Sequence, residues 1–139
     1  MFRQEVSLET VNARHKNSMV DHLGIEVIEI GDDYMIAKMP VDNRTKQPLG
    51  LLHGGASVAL AETLGSVAAN CVIDLEKHFC VGLEINANHI KSAKDGYVYG
   101  TTKAVHVGRK TQVWEIKIRN EAGQLTCISR ITMAVMDKN

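Results

Sequence analysis

The spacing of hydrophobic and polar positions changes twice along this chain. Residues 25–30 and 34–41 are strand-like, and Gly31-Asp32-Asp33 between them suits a tight hairpin, so an antiparallel pair opens the main body of the fold. Ahead of it, Ser7 is placed to cap a short helix over residues 8–16, where Leu8, Val11 and Asn12 give weak periodicity and Glu9 puts a carboxylate in the first turn. From residue 54 to 74 the pattern becomes a long run of small and apolar residues, predicting a central helix that other elements can approach closely. Glu62 is its only charge before Asp74. The second half is almost continuous strand, over 79–89, 97–107, 112–120 and 125–136. Lys94-Asp95-Gly96, Gly108-Arg109-Lys110 and Glu121-Ala122-Gly123 supply the turns. Alternation is clearest where Glu115, Lys117 and Arg119 share one face opposite Trp114, Ile116 and Ile118, a period that Val113 does not fit. Strands grouped around one helix predict an α+β fold with an antiparallel sheet, not a βαβ fold.

Composition narrows the function classes. A chain of 139 residues fits one domain spanning 1–139 and can bury a core without staples. Sixteen basic residues balance sixteen acidic ones, which removes the electrostatic footprint of a general nucleic-acid binder. Cys71, Cys80 and Cys127 are odd in number and form no Cys-x-x-Cys pair, so they read as small core residues in a reducing, cytoplasmic compartment. The polar start, Met1-Phe2-Arg3-Gln4-Glu5, lacks the apolar stretch of a signal peptide. The run 54–73 contains Ser57, Glu62, Thr63, Ser66 and Asn70 and is built largely of Ala and Gly, too polar for a membrane span. No membrane or nucleic-acid partner is expected.

The candidate chemistry lies in the stretch from Gln47 to Ser66. Residues four apart share a helix face, so Glu62 and Ser66 can point into a common pocket, with Asn70 extending the stripe and Val58, Ala59, Ala69 and Ile73 on or beside it. A lone helical glutamate is ordinarily solvated or bonded to a neighbour. What shifts the balance is His53-Gly54-Gly55 directly upstream, because a glycine amide in a first helical turn, with the helix dipole behind it, is built to polarise a carbonyl. The combination points to acyl transfer. Gly54 and Glu62 are separated by eight positions, about 12 Å along a helix at 1.5 Å per residue, too far to serve one carbonyl from within one chain. If both act on the same carbon they come from different subunits set antiparallel, and a working site needs a dimer. Ser57 and Ser66 lack the Gly-x-Ser-x-Gly elbow of serine hydrolases. His53, His89 and His106 lack zinc-motif spacing, and Gly54-Gly55 lacks the pattern of nucleotide-binding loops, so no metal or cofactor is expected.

Several blocks together carry a resemblance: Asn43-Arg44-Thr45-Lys46-Gln47-Pro48, Leu52-His53-Gly54-Gly55-Ala56-Ser57, Ala61-Glu62, the stretch from Val81 to His89 and His106-Val107-Gly108. The chain resembles the hotdog-fold acyl-CoA thioesterases of the phenylacetate-degradation type over nearly its whole length. Within that group it is most similar to the bacterial aryl-CoA enzymes, namely the 1,4-dihydroxy-2-naphthoyl-CoA thioesterases of menaquinone synthesis and their enterobactin-proofreading relatives. The resemblance implies an antiparallel sheet wrapped around one long helix, an obligatory dimer that usually doubles to a tetramer, and hydrolysis of an aromatic acyl-CoA to acid and coenzyme A. Glu62 falls at the family's acidic position, as nucleophile or as general base. Gly54 matches the amide that binds the thioester oxygen, Gln47 and His53 the groups that orient thioester or water, and Ser66 a polar partner of the carboxylate. Gly82, the turn His89, Ile90, Lys91, Ser92 and the turn His106, Val107, Gly108, Arg109, Lys110, Thr111 match regions that hold the arm and nucleotide of coenzyme A, where Lys91, Arg109 and Lys110 suit its phosphates. The competing readings are that these basic residues are merely solvated and that His89 and His106 are buried structural histidines. Two functional alternatives stay open, a proofreader acting on an acylated carrier protein, and a hotdog that is either a dehydratase using His53 or a non-catalytic acyl-binding module.

Overall fold

The computed structural model describes residues Met1–Asn139 and holds α1 (Leu8–Ala13), α2 (Met19–His22), β1 (Glu26–Ile30), β2 (Tyr34–Pro40), α3 (Gly54–Cys71), β3 (His78–His89), β4 (Tyr97–Val107), β5 (Thr111–Arg119) and β6 (Leu125–Asp137). The strands form one antiparallel sheet of order β1-β2-β4-β5-β6-β3. Helix α3 lies against β2, β3, β4, β5 and β6. This is the hotdog arrangement, and the small residues of α3 let the sheet approach the helix closely.

The core is the meeting of alternate strand positions with one stripe of α3. Met35, Ala37 and Met39 of β2, Trp114, Ile116 and Ile118 of β5, and Ile131 and Met133 of β6 are buried with Leu60, Ala61, Leu64 and Ala68. Contact is closest at Gly65, where an added Cβ would stand 2.6 Å from Ile131 Cγ2. Gly65→Ala therefore sets two effects against each other: a helix-propensity gain of about 1 kcal/mol and an overpacking cost of about 1–3 kcal/mol. Overpacking wins here because the obstacle is a branched carbon of a core residue. Urea unfolding should show Gly65→Ala destabilised by about 1 kcal/mol; a stabilised variant would mean the helix and β6 are free to part.

Several local expectations need correction. Helix α1 stops at Ala13, not residue 16, although Ser7 does cap it, with Thr10 closing the capping box. The chain then turns through Asn17, at φ 60°, into the short α2, which the weak periodicity did not reveal. Helix α3 ends at Cys71, three residues early, because the Arg3 guanidinium takes the carbonyls of Asn70 (2.5 Å) and Ile73 (2.6 Å) and closes the helix end. Val113 does obey the alternation of β5 and stands on its outer side, while its neighbour Gln112 is the buried residue. Gln112 accepts from Trp114 Nε1 at 2.8 Å and donates to the Ala69 carbonyl at 3.4 Å, which satisfies a polar group inside an apolar core. Ala69 is fully buried, and its carbonyl meets Gln112 from the sheet.

The two sheet edges differ. Asn12 from α1 both donates to and accepts from the backbone of Val27 (2.8 and 2.9 Å), so part of the β1 edge is occupied. The twelve-residue β3 has only β6 beside it. Its Val81 and Leu83 are exposed. The three cysteines are buried free thiols whose pKa values burial pushes up. No helix is long and apolar enough to cross a membrane.

Candidate active site

Helix α3 begins with four backbone amides, those of His53 to Ala56, that the regular helical pattern leaves without a partner; that of His53 donates to the Thr45 carbonyl, and His53 itself satisfies two more. His53 caps the helix: its Nδ1 accepts from Gly55 N–H at 2.7 Å, and its carbonyl accepts from Ala56 (2.9 Å) and Ser57 (3.2 Å). The Gly54 amide alone gives no hydrogen bond within the chain. It borders a cleft of about 370 Å³ whose polar rim includes Gln47, His89, Lys91 and Ser92. The Gln47 side-chain oxygen accepts from Leu49 N–H in a turn finished by Gly50 at φ 82°, which leaves its NH₂ uncommitted. The ring of His89 lies over Gly54, with Nε2 3.1 Å from where a Cβ would be. Ile90 and Lys91 are held in place by amide bonds to the Thr126 carbonyl (2.8 and 3.3 Å).

Glu62 lies two turns further on, on the outward stripe of α3. In the single chain it is exposed, not the core carboxylate that its apolar neighbours in sequence imply, and it takes part in none of the chain's ion pairs. One carboxylate oxygen stands 2.9 Å from where a Cβ on Gly82 would be, so any side chain at that point of β3 would displace it. Its other surroundings are a cleft of about 370 Å³ lined also by His15, Met19, Val20, Ala59, Thr63, Ser66 and Val67. Ser66 thus shares the pocket with Glu62, as four-residue spacing requires. Asn70 has a structural task instead: its side-chain oxygen accepts from Cys80 N–H at 2.9 Å and its NH₂ donates to the Ser66 carbonyl at 2.9 Å, tying α3 to β3.

Residues 49–127 match the family model of the thioesterase superfamily. The chain belongs to that superfamily. It is 51% identical over 136 residues to the 1,4-dihydroxy-2-naphthoyl-CoA hydrolase of Escherichia coli, covering 98% of this chain and 99% of that one. It is 47% identical to the proofreading thioesterase EntH of Cronobacter turicensis over 98% of both chains. A thioesterase of Pseudomonas aeruginosa, solved as a glutamine-to-alanine variant, superposes with a TM-score of 0.97 at 48% identity, covering 99% of each chain. The hydrolysis of thioesters is therefore this thioesterase's chemistry.

Within one chain of this thioesterase the candidate residues fall into two groups. Gln47, His53, Gly54, His89, Ile90, Lys91 and Ser92 gather at the start of α3. Glu62, Ser66 and Gly82 gather further along it. The turn of His106, Val107, Gly108, Arg109, Lys110 and Thr111 belongs with the second group, since Gly82 pairs with Met133 and Met133 with Gln112, one residue past that turn. His89, by contrast, is level with Cys127 and Ile118 at the far end of the same strands. Both His89 and His106 are exposed, so neither is a buried structural histidine. The sequence reading passed over His15, Met19 and Val20, because a histidine and two apolar residues in an irregular N-terminal stretch carry no motif and only the return of α2 onto α3 brings them to Glu62.

Proposed function

We propose that two copies of this thioesterase pair antiparallel along β3 and hydrolyse aromatic acyl-CoA esters, 1,4-dihydroxy-2-naphthoyl-CoA among them, at sites shared between the copies. In each site the Gly54 amide of one copy polarises the thioester carbonyl, and Glu62 of the other attacks its carbon or takes the proton of the attacking water. The observation that carries this reading is the division of the candidate residues into two groups at opposite ends of one molecule. A two-fold axis across β3 runs the two α3 helices in opposite directions and sets each group against the complementary group of the partner. An unpaired twelve-residue edge with exposed Val81 and Leu83 supports pairing there, whereas Asn12 occupies the corresponding groups of β1. Exposed Phe79, facing Met136 across the β3–β6 pair, and exposed Val105 and Val107 leave apolar area for two dimers to associate as a tetramer.

Gln47 and His53 orient the thioester or the water. Ser66 steadies the carboxylate, and the two turns, with Gly82 between them, hold the coenzyme A arm, Lys91, Arg109 and Lys110 meeting its phosphates. The three buried free cysteines support a reducing, cytoplasmic setting. The likeness to a proofreading thioesterase favours a second substrate form, the same acyl group on a carrier protein's pantetheine arm. Thioester hydrolysis assays with a panel of aroyl-CoA and matched aroyl-carrier-protein substrates, run alongside analytical ultracentrifugation, test both points. The expected result is a dimer or tetramer with a higher kcat/KM on the CoA esters. A fully active monomer would overturn the shared site, and preference for the carrier protein would reverse the order of substrates.

A further inference from the structure

Glu62 opens onto a cleft with a wall of its own. Met19, Val20, Ala59 and Val67 make that wall apolar, and its volume of about 370 Å³ is within the range of small-ligand sites. One ring stands out in it. His15, from the turn between α1 and α2, lines this cleft and also a neighbouring cavity of about 240 Å³ beside Arg14 and Asn70. Its Nδ1 is sealed from solvent with no hydrogen-bond partner, the only buried side-chain polar atom in the chain left so. Leaving such a group unpaired costs about 1–3 kcal/mol.

The protonation state of the ring follows from its surroundings. Burial and the neighbouring Arg14 charge hold the His15 pKa below its ordinary value, with Asp21 opposing, which favours the neutral imidazole. A neutral imidazole has one N–H, and placing it on the sealed, acceptorless Nδ1 wastes the donor. On Nε2, which makes no hydrogen bond in the chain and, unlike Nδ1, is not sealed from solvent, that N–H is free to meet a ligand. The cleft bordered by Glu62 is thus lined by a residue with one uncommitted donor.

We infer that His15 is a specificity-determining residue, whose Nε2–H donates to an oxygen substituent on the aromatic acyl group while Met19, Val20 and Val67 pack against the ring. The new element is the residue: a ring oxygen of the substrate class proposed above is given a hydrogen-bond partner in this chain. This rests on the reading of Glu62 given above, since it places the acyl group in the cleft that Glu62 borders. A site built to bond a substrate oxygen discriminates against the analogue that lacks it, because the donor is then left dry and unpaired.

The test compares benzoyl-CoA with the 2-, 3- and 4-hydroxybenzoyl-CoA esters on the full chain, as wild type, His15→Phe and His15→Gln. The wild type should favour one hydroxylated isomer, and His15→Phe should lower that preference over benzoyl-CoA about tenfold, the worth of one hydrogen bond. His15→Gln, which keeps a donor, should restore part of the preference. Thermal melting checks the folding of each variant, and if His15→Phe does not fold the comparison of His15→Gln with wild type decides. An unchanged preference overturns the role of His15 alone. A wild type that cleaves none of the four esters overturns the reading of the site itself.

Discussion

Glu62→Gln is expected to lower kcat on aroyl-CoA esters by about 10³-fold or more, within the span usually lost with a general base or nucleophile. The substitution preserves shape and removes the charge and the lone pair that attacks or accepts a proton. Because Glu62 is exposed and outside every ion pair of the chain, the folded state loses no partner, and the melting temperature should move little. KM should change far less than kcat, since a group that acts on the reacting carbon contributes mainly in the transition state. Following release of the coenzyme A thiol at saturating ester gives kcat directly. Turnover within tenfold of wild type would remove Glu62 from the reaction.

The chemistry can run on so few groups because of its substrate. A thioester carbonyl is electrophilic and its thiolate leaves readily, so in the proposed site one polarising amide and one carboxylate would suffice for work that an amide hydrolase gives to a triad and an oxyanion hole. The cost falls on geometry. In the proposed site both groups need to reach one carbon, yet a single helix holds them about 12 Å apart, and the proposed pairing of two chains would resolve the conflict. The exposure of Glu62 in one chain fits that proposal: a carboxylate set to face a partner's helix start would be solvated in the single chain.

This division explains what was legible in the amino-acid order. Signals carried by neighbours in sequence were readable: the Gly31-Asp32-Asp33 hairpin, the helix start at Gly54, the four-residue step from Glu62 to Ser66, and the alternation of β5 from Trp114 onward. Failures occurred where a distant residue decided the outcome. Arg3 ends α3 early by taking its last carbonyls. Gln112 looks like a solvent residue until Trp114 and the Ala69 carbonyl meet it in the core. Asn70 lies on the Glu62 stripe by spacing but is claimed by Cys80 from β3. His15 has no motif at all and gains its place only from the way α1 and α2 fold back over the helix. Local rules fix element type well and say little about which polar groups finally meet.

Gly54→Pro isolates the other half of the site. Gly54 is the first residue of α3, where proline is favoured and its missing N–H is one the helix does not use. His53 precedes it at φ −69°, ψ 130°, an extended conformation that a residue before proline prefers. The one crowded contact is with His89 Nε2, the far end of an exposed side chain. The fold should therefore persist while the carbonyl loses its donor, and kcat should fall about 10²–10³-fold. Combining this variant with Glu62→Gln then tests the shared site without ambiguity. Each homodimer carries two damaged sites, whereas a mixed dimer concentrates both lesions in one site and leaves the other intact. Refolding equal amounts together makes half the dimers mixed, so activity should climb to about a quarter of wild type if the interface is two-fold symmetric. A mixture no more active than its two components would place Gly54 and Glu62 in the same site of one chain, or in different reactions.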